Sequence, residues 1–108
     1  MTKISFCNYN GKYIFECMGH TEYASYGKDV LCSAISVLCY TLGAYLSRAS
    51  TEGKICSYQS SFAPGEVHLS FELCDSYPHN IALHVVNAIL DGFALLEESF
   101  PDYIKAEF

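Results

Sequence analysis

A long apolar stretch in the first half of the chain limits the possible folds more than any other feature. From Val30 to about Leu46, apolar residues recur at helical spacing and predict a helix with a core-facing stripe of Leu31, Ala34, Ile35, Leu38, Leu42 and Leu46. Asp29 is placed to cap this helix, because a carboxylate accepts hydrogen bonds from free backbone N–H groups. Val37 and Tyr40, with Val30, give the helix a second apolar side. A helix that is apolar nearly all round lies centrally or is also buried against another subunit.

The first strands are predicted from a tight turn. Asn10-Gly11 is typical of a two-residue hairpin turn, because both residue types tolerate positive φ. Centring the turn there makes residues 3–18 a hairpin whose apolar cross-strand pairs are Phe6 with Phe15 and Ile4 with Cys17. This register leaves one face of the hairpin mostly apolar and the other mostly polar, as a half-buried sheet requires.

Two more strands and a second helix are predicted in the rest of the chain. Residues 54–62 and 66–74 form a hairpin around Ala63-Pro64-Gly65, and a helix runs from Pro78 to about Ser99. The order β-β-α-β-β-α predicts an α+β, two-layer fold, with one mainly antiparallel four-stranded sheet and two helices on one face. A length of 108 residues suits a single domain, residues 1–108.

The charge and the N-terminal sequence exclude several classes of protein. The formal net charge is -6 and the chain has no run of Lys or Arg, so we expect no direct binding of nucleic acid and a preference for a basic partner. The first residues contain neither a secretory h-region nor a cleavage site, and no apolar run approaches the roughly 20 residues that cross a bilayer. We therefore expect a cytoplasmic protein that does not bind membranes.

The cysteines do not form a recognisable metal or disulfide motif. Six are present, at positions 7, 17, 32, 39, 56 and 74. In a reducing cytoplasm we expect free thiols, most of them small core residues. No two form a CxxC pair, and none has zinc-finger spacing with the histidines. The sequence predicts no metal and no other cofactor, and a redox or metal-responsive protein built on the six thiols is kept as a third hypothesis.

One cysteine stands in a context suited to catalysis. With Asp29 as the cap, Cys32 is the third residue of the helix, where free N–H groups stabilise a thiolate and an oxyanion. His20 follows the second predicted strand, and the loop of residues 19–28 is long enough to bring its imidazole to the thiol. A Cys-His pair is the minimum for acyl transfer, with His as general base. On spacing alone, a core cysteine and a surface histidine are the more frequent interpretation.

Residues 19–36, GHTEYASYGKDVLCSAIS, resemble the signature of the ribosomal-processing cysteine protease family Prp. That signature has Gly-His, three residues, Ala, two residues, Gly, one residue, Asp, two apolar residues, Cys, a small residue, Ala, an apolar residue and Ser. The matching residues are Gly19, His20, Ala24, Gly27, Asp29, Val30, Leu31, Cys32, Ala34, Ile35 and Ser36. The spacing from His to Cys fits without a gap, and the element order, the length and the tail extend the resemblance over essentially the whole chain.

The resemblance implies a homodimeric cysteine endopeptidase in which Cys32 and His20 form the catalytic dyad. Its expected partner is the precursor of a large-subunit ribosomal protein, from which family members cut a short N-terminal extension that ends in aromatic residues. Phage-encoded relatives process structural proteins instead. Thr21-Glu22 stands where many members carry Ala-Gly, which puts the mobility of the loop and the cleavage preference in question. The alternative is a non-catalytic dimeric module that binds a ribosomal protein or a ribosome assembly intermediate.

Two residues on the predicted helix are candidates to support the site. Asp29 either caps the helix or orients His20 as a third catalytic member, and spacing does not choose between these roles. Ser36 lies one turn beyond Cys32 on the same helix face. It forms a hydrogen bond near the site or bonds back to a carbonyl of its own helix.

Four residues of the loop have a functional and an ordinary interpretation. Gly19 and Gly27 are interpreted as hinges of a lid that closes over a peptide, or as ordinary loop glycines. Tyr23 and Tyr26 are candidates to stack on an aromatic residue of the substrate.

Overall fold

The computed structural model describes residues 1–19, 25–74 and 81–108, and for residues 25–29 it describes the backbone alone. These residues form seven elements in chain order: β1 (Thr2–Tyr9), β2 (Lys12–Met18), α1 (Ser25–Thr51), β3 (Ile55–Ala63), β4 (Glu66–Leu73), α2 (Ile81–Ser99) and β5 (Ile104–Glu107). The strands form one sheet in the order β3-β4-β2-β1-β5. The predicted α+β fold is confirmed, with one strand more than expected.

The first hairpin has the predicted turn and register. Asn10 and Gly11 have φ angles of 51° and 86°, in the region where Asn and Gly are favoured. The cross-strand partners include Phe6 with Phe15 and Ile4 with Cys17. These residues lie on the side of the sheet that the helices cover, and the hairpin therefore fixes the position of Cys17 at the end of β2.

The additional strand comes from the C-terminal tail. β5 pairs with β1 in parallel, with Thr2 opposite Ile104. The backbone N–H of Ala106 donates a hydrogen bond to the carboxylate of Glu97 at 2.8 Å, which ties β5 to α2. A strand of four residues is too short for the alternation of apolar and polar residues that identifies a strand in a sequence. The alternation of residues therefore predicts four strands, and the sheet has five.

Helix α1 is longer than predicted at both ends. It begins at Ser25 and ends at Thr51, so residues 25–28 are helical and not part of a loop. Asp29 is the fifth residue of the helix, and its prediction as N-cap is wrong. Gly27 suggested a loop, but one glycine costs a helix only roughly 1 kcal/mol, which tertiary packing overrides. The predicted start of the second helix at Pro78 lies outside the described residues.

One hydrophobic core lies between the sheet and both helices. Its most deeply buried side chains come from all three sources: Ile4, Phe15, Leu69 and Phe71 from the sheet, Leu31, Leu42 and Leu46 from α1, and Val86 and Phe93 from α2. The rings of Phe15 and Phe93 have centroids 5.5 Å apart, so α2 packs directly on the centre of the sheet. Helix α1 packs beside α2 and over β3, and it contributes to the same core.

Helix α1 also exposes apolar side chains. Val30, Val37 and Tyr40 are 71%, 62% and 62% exposed. The segment Val30–Thr51 has a mean hydropathy of 1.7 and, contrary to the prediction, is long and apolar enough to cross a bilayer, although 39% of it is buried in the molecule. A core helix has the same properties, so length and hydropathy alone do not assign a membrane span to it.

The second hairpin is joined by a disulfide. Cys56 and Cys74 are bonded, with Cα atoms 5.5 Å apart, so the expectation of six thiols is wrong for this pair. The register of β3 shifts between Cys56 and Gln59, where Ser57 has a φ of 54°. Such a bulge interrupts the alternation along a strand. The register of β3, and with it the pairing of these two cysteines, could therefore not be predicted from the alternation of residues.

Candidate active site

A cavity of about 370 Å³ lies between the first half of α1, the end of β2 and the turn from β3 to β4. The helix contributes Cys32, Ile35 and Ser36 to its wall, and the turn contributes Ala63-Pro64-Gly65. This volume lies within the usual range of ligand-binding clefts. The cavity is therefore the first place to look for chemistry in this fold.

Cys32 lines the cavity, and its role as nucleophile stays a prediction. Its thiol is partly exposed and does not belong to the disulfide. Ser36 and Cys39 line the same cavity four and seven residues further along α1, which is the spacing of residues on one helix face. The structure therefore places Ser36 on the same wall as Cys32, and its supporting role stays a prediction.

The position of Cys32 within the helix differs from the prediction. Because α1 begins at Ser25, Cys32 is its eighth residue and not its third. The field of a helix N-terminus falls off within the first turn. The helix end consequently contributes little at this sulfur.

Gly19 connects the end of β2 to His20 and also lines the cavity. Its N–H donates a hydrogen bond to the carbonyl of Gly65 at 2.8 Å, and its carbonyl accepts one from the hydroxyl of Thr2 at 3.5 Å. Its φ is 96°, and a Cβ at this position would lie 2.5 Å from the carbonyl oxygen of Met1. Glycine is required here by backbone conformation and close approach, so the interpretation of Gly19 as a hinge is replaced by that of a fixed corner.

The remaining predicted site residues have different outcomes. Gly27 lies in α1, so its interpretation as a hinge within a loop is wrong. His20 and Tyr23 lie outside the described residues, and so do the side chains of Tyr26 and Asp29. The roles predicted for these four side chains, as general base, orienting group and aromatic contacts, stay predictions.

An aromatic pair that was not predicted from the sequence lies at the cavity. Tyr40 of α1 and Phe62 of β3 stack with ring centroids 5.3 Å apart and planes inclined by 17°, and both line the cavity. Gly43 makes room for this arrangement, because a Cβ there would lie 2.8 Å from the Cζ atom of Phe62. The only signal in the sequence was that Tyr40 lies on the second apolar side of the helix, since β3 had no readable register.

Two further thiols lie in the cavity wall, at Cys17 and Cys39. The Cys39 thiol donates a hydrogen bond to the sulfur of Cys17, which lowers the pKa of Cys17 although burial acts in the opposite direction. The same hydrogen bond, together with burial, raises the pKa of Cys39. Within the described parts of the chain, no group of three or more His, Cys, Asp and Glu side chains is arranged to hold a metal ion.

A small α+β domain with a partly exposed cysteine in a peptide-sized cavity defines a candidate cysteine peptidase. The model of one family, described as cysteine protease Prp, matches residues 1–105. The chain therefore belongs to the Prp family and is a cysteine protease. The comparison with curated proteins gave no match.

Solved structures share this fold over nearly the whole chain. The ribosomal processing protease Prp from S. aureus with a covalently linked product peptide has a TM-score of 0.68 at 16% identity, covering 99% of this chain and 98% of that one. The same protease with a substrate peptide has a TM-score of 0.68 at 14% identity, covering 100% of both chains. SMU.848 from Streptococcus mutans has a TM-score of 0.64 at 25% identity, covering 99% of this chain and 92% of that one.

Proposed function

We propose that this protein removes a short N-terminal extension from a large-subunit ribosomal protein, with Cys32 as nucleophile and His20 as general base. The observation that carries the proposal is that Cys32 lines the same cavity as Gly19, the residue immediately before His20. Gly19 is held by hydrogen bonds to the β3–β4 turn and to Thr2, so the chain leaves β2 for His20 from a fixed point in the cavity wall.

In the proposed reaction His20 accepts the proton of Cys32, and the sulfur attacks the carbonyl carbon of the scissile peptide bond. The proton then passes to the leaving amine as the C–N bond breaks, which leaves a thioester on Cys32. A water molecule hydrolyses this thioester, with His20 accepting its proton, and the thiol is restored. No metal and no cofactor takes part in this sequence of steps.

Three observations support a ribosomal protein as the substrate. The S. aureus relative is described as a ribosomal processing protease, and its structures contain a substrate peptide and a covalently linked product. The net charge of -6 attracts a basic partner over long range. The rings of Tyr40 and Phe62 offer an aromatic surface in the cavity that contains Cys32, which suits an aromatic residue just before the cut. With this substrate, we propose the cytoplasm as the site of action.

We also propose that the protein is a homodimer. Val30 and Val37 lie on the exposed side of α1 with Tyr40, and each of the three is more than three-fifths exposed. Several exposed apolar side chains on one side of a long helix suit a surface that a partner covers. A second copy related by twofold symmetry would place the same face of its own α1 against it.

The test is to incubate the purified protein with the extended ribosomal protein and to weigh the products by mass spectrometry. We expect the wild type to shorten the precursor, and Cys32→Ala and His20→Ala each to lower the rate by about 10³-fold or more. Cys7→Ala is the matched control, because this thiol is exposed and is not among the described residues that line the cavity. It should trim at the wild-type rate.

Each other outcome rejects a specific part of the proposal. Equal trimming by Cys32→Ala would exclude Cys32 as the nucleophile, and equal trimming by His20→Ala would exclude His20 as the base. Tight binding of the precursor without cleavage would identify a non-catalytic binding module. Cleavage of a phage structural protein, with the ribosomal precursor left intact, would identify a phage-type processing enzyme.

A further inference from the structure

We propose that Cys17 and Cys39 form an oxidisable dithiol, which a hydroperoxide converts to a disulfide in the wall of the cavity that contains Cys32. Neither residue has a role in the proposed peptidase reaction. The pair is separate from Cys56 and Cys74, which are already bonded to each other at the far end of the second hairpin.

The two thiols come from different elements and meet at the cavity. Cys17 lies near the end of β2, opposite Ile4 on β1 and Val67 on β4, on the side of the sheet that α1 covers. Cys39 lies on the face of α1 that is turned toward the sheet, and it is 2% exposed. The hydrogen bond between the two thiols is the largest cause of both pKa shifts, so the two sulfurs lie close to each other in the cavity wall. A disulfide further requires Cα atoms roughly 4.4–6.8 Å apart, a condition that the cross-linking experiment below tests.

The cavity gives a small oxidant access to a pair that is otherwise buried. Both cysteines line the space of about 370 Å³ that opens beside Cys32, which is large compared with a hydroperoxide. The hydrogen bond from Cys39 lowers the pKa of Cys17, so Cys17 is the thiol of the pair that ionises first. The thiolate is the reactive form of cysteine. Cys17 therefore reacts with the peroxide, and Cys39 completes the disulfide.

The reaction balances with one hydroperoxide. The Cys17 thiolate attacks a peroxide oxygen, the O–O bond breaks, and water or an alcohol leaves after taking up a proton, which gives a sulfenic acid on Cys17. The Cys39 sulfur attacks the Cys17 sulfur, the S–O bond breaks, and the hydroxyl leaves as water with the proton of Cys39. The cysteine pair loses two electrons and the peroxide gains two.

The disulfide would connect the two elements that carry the proposed dyad. Cys17 precedes His20 by three residues at the end of β2, and Cys39 follows Cys32 by seven residues in α1. Oxidation would thus fix the strand that leads to the base relative to the helix that carries the nucleophile. This consequence rests on the proposed function, whereas the formation of the disulfide does not.

The experiment uses the Cys32→Ala variant, in which three thiols remain, at Cys7, Cys17 and Cys39. The variant is treated with one equivalent of hydrogen peroxide, alkylated, digested without reduction and analysed by mass spectrometry. We expect two of the three alkylatable thiols to be lost, together with the appearance of a peptide pair linked through Cys17 and Cys39. Adding Cys7→Ser should leave this loss unchanged, and adding Cys39→Ser should abolish it.

Three results would overturn the proposal: alkylation of all three thiols after treatment, a cross-link through Cys7, or a cross-link between two copies of the chain. Cys39→Ala provides a second variant in case a serine hydroxyl disturbs the core, and circular dichroism checks that each variant is folded. Because no peptidase activity is measured, a negative result here is distinct from a failure of the proposed ribosomal processing.

Discussion

At the scale of single residues, Gly19 brings together three separate parts of the chain. Its backbone bonds to the turn between β3 and β4 through Gly65 and to the start of β1 through Thr2. The space that a side chain would need is occupied by the carbonyl group of Met1. The backbone conformation just before His20 is thus set by hydrogen bonds of Gly19, and the close approach of Met1 leaves no room for a side chain at this position.

We predict that Gly19→Ala lowers the free energy of unfolding more than Gly11→Ala does. Both glycines have positive φ, and an L-residue in that region costs roughly 1–2 kcal/mol. A Cβ at Gly11 would meet nothing within 4 Å, whereas one at Gly19 would meet the Met1 carbonyl at 2.5 Å. We therefore expect only the strain cost at Gly11 and a further loss, on the order of 1–3 kcal/mol, at Gly19 from the displaced backbone.

Urea denaturation gives the free energy of unfolding of each variant. The cost of an L-residue at positive φ applies to both Gly11→Ala and Gly19→Ala, so the difference between their free energies of unfolding reports the close approach to Met1. Equal free energies of unfolding for Gly11→Ala and Gly19→Ala would show that the close approach to Met1 carries no energy. A Gly19→Ala variant that is folded is also expected to trim more slowly, since the residue precedes the proposed base.

The site residues that could be predicted from the sequence are those that a single helix brings together. Cys32 and Ser36 are four residues apart, so helical spacing alone places them on one face. Tyr40 with Phe62, and Cys17 with Cys39, meet only because α1 packs over the sheet. Contacts of this kind depend on how the helix is placed relative to the sheet. The spacing of residues within one helix or strand does not predict that placement.

At the scale of elements, the hairpin of β3 and β4 has one end at the cavity and the other at the disulfide. Its turn, Ala63-Pro64-Gly65, lines the cavity. Its open end is closed by the bond between Cys56 and Cys74, next to the bulge at Ser57. Paired residues of β3 and β4 lie between the two ends, and Phe62 is opposite Val67 near the turn.

We predict that the double variant Cys56→Ser, Cys74→Ser is less stable but remains active. The disulfide closes a loop with a sequence separation of 18 residues. Loops of about this length are stabilised by roughly 3 kcal/mol when closed. We expect a decrease of about this size in the free energy of unfolding. Trimming should continue at nearly the wild-type rate, because neither cysteine is among the described residues that line the cavity.

Chemical denaturation and the trimming assay together test this prediction. The wild type in reducing agent should match the double variant in stability, which controls for the new serine side chains. A loss of trimming at temperatures where the double variant is folded would contradict the independence of the two ends of the hairpin.

The elements differ in how much of each could be predicted. The first hairpin followed from Asn10-Gly11, because a two-residue turn fixes the register of both strands. The start of α1 did not follow, since Gly27 is unfavourable in a helix and packing overrides that preference. The bulge at Ser57 and the short strand β5 did not follow either, since both lack the regular alternation on which the prediction of strands depends.

At the scale of the whole molecule, the proposed dimer depends on the exposed apolar face of α1, which carries Val30, Val37 and Tyr40. The molecule measures 47 × 23 × 20 Å, and α1 with 27 residues is its longest element. The opposite face of this helix supplies Leu31, Leu42 and Leu46 to the core. One side of the helix therefore packs in the core, and the other side forms the proposed dimer interface.

We predict that Val37→Glu converts a dimer into a monomer. Val37 is 62% exposed and is not among the described residues that line the cavity, so a carboxylate there affects the outer face of α1 and leaves the site in place. Its desolvation would make the interface unfavourable. Light scattering should give about twice 12.0 kDa for the wild type and about 12.0 kDa for Val37→Glu.

Leu95→Glu is the matched control, because Leu95 is an equally exposed apolar residue at 64% but lies on α2. It should remain dimeric. A monomeric wild type at micromolar concentration would contradict the proposed dimer, and a dimer that Leu95→Glu disrupts and Val37→Glu does not would place the interface on α2.

The pairing of β5 with β1 makes one edge of the cavity depend on two segments that are far apart in the chain. Thr2, which lines the cavity, also donates its backbone N–H to the carbonyl of Tyr103 at 2.9 Å and lies opposite Ile104. Loop-closure entropy opposes the pairing of segments so distant in sequence, and such contacts form slowly in folding. The edge of the cavity that Thr2 provides is therefore expected to be among the last parts of the site to form.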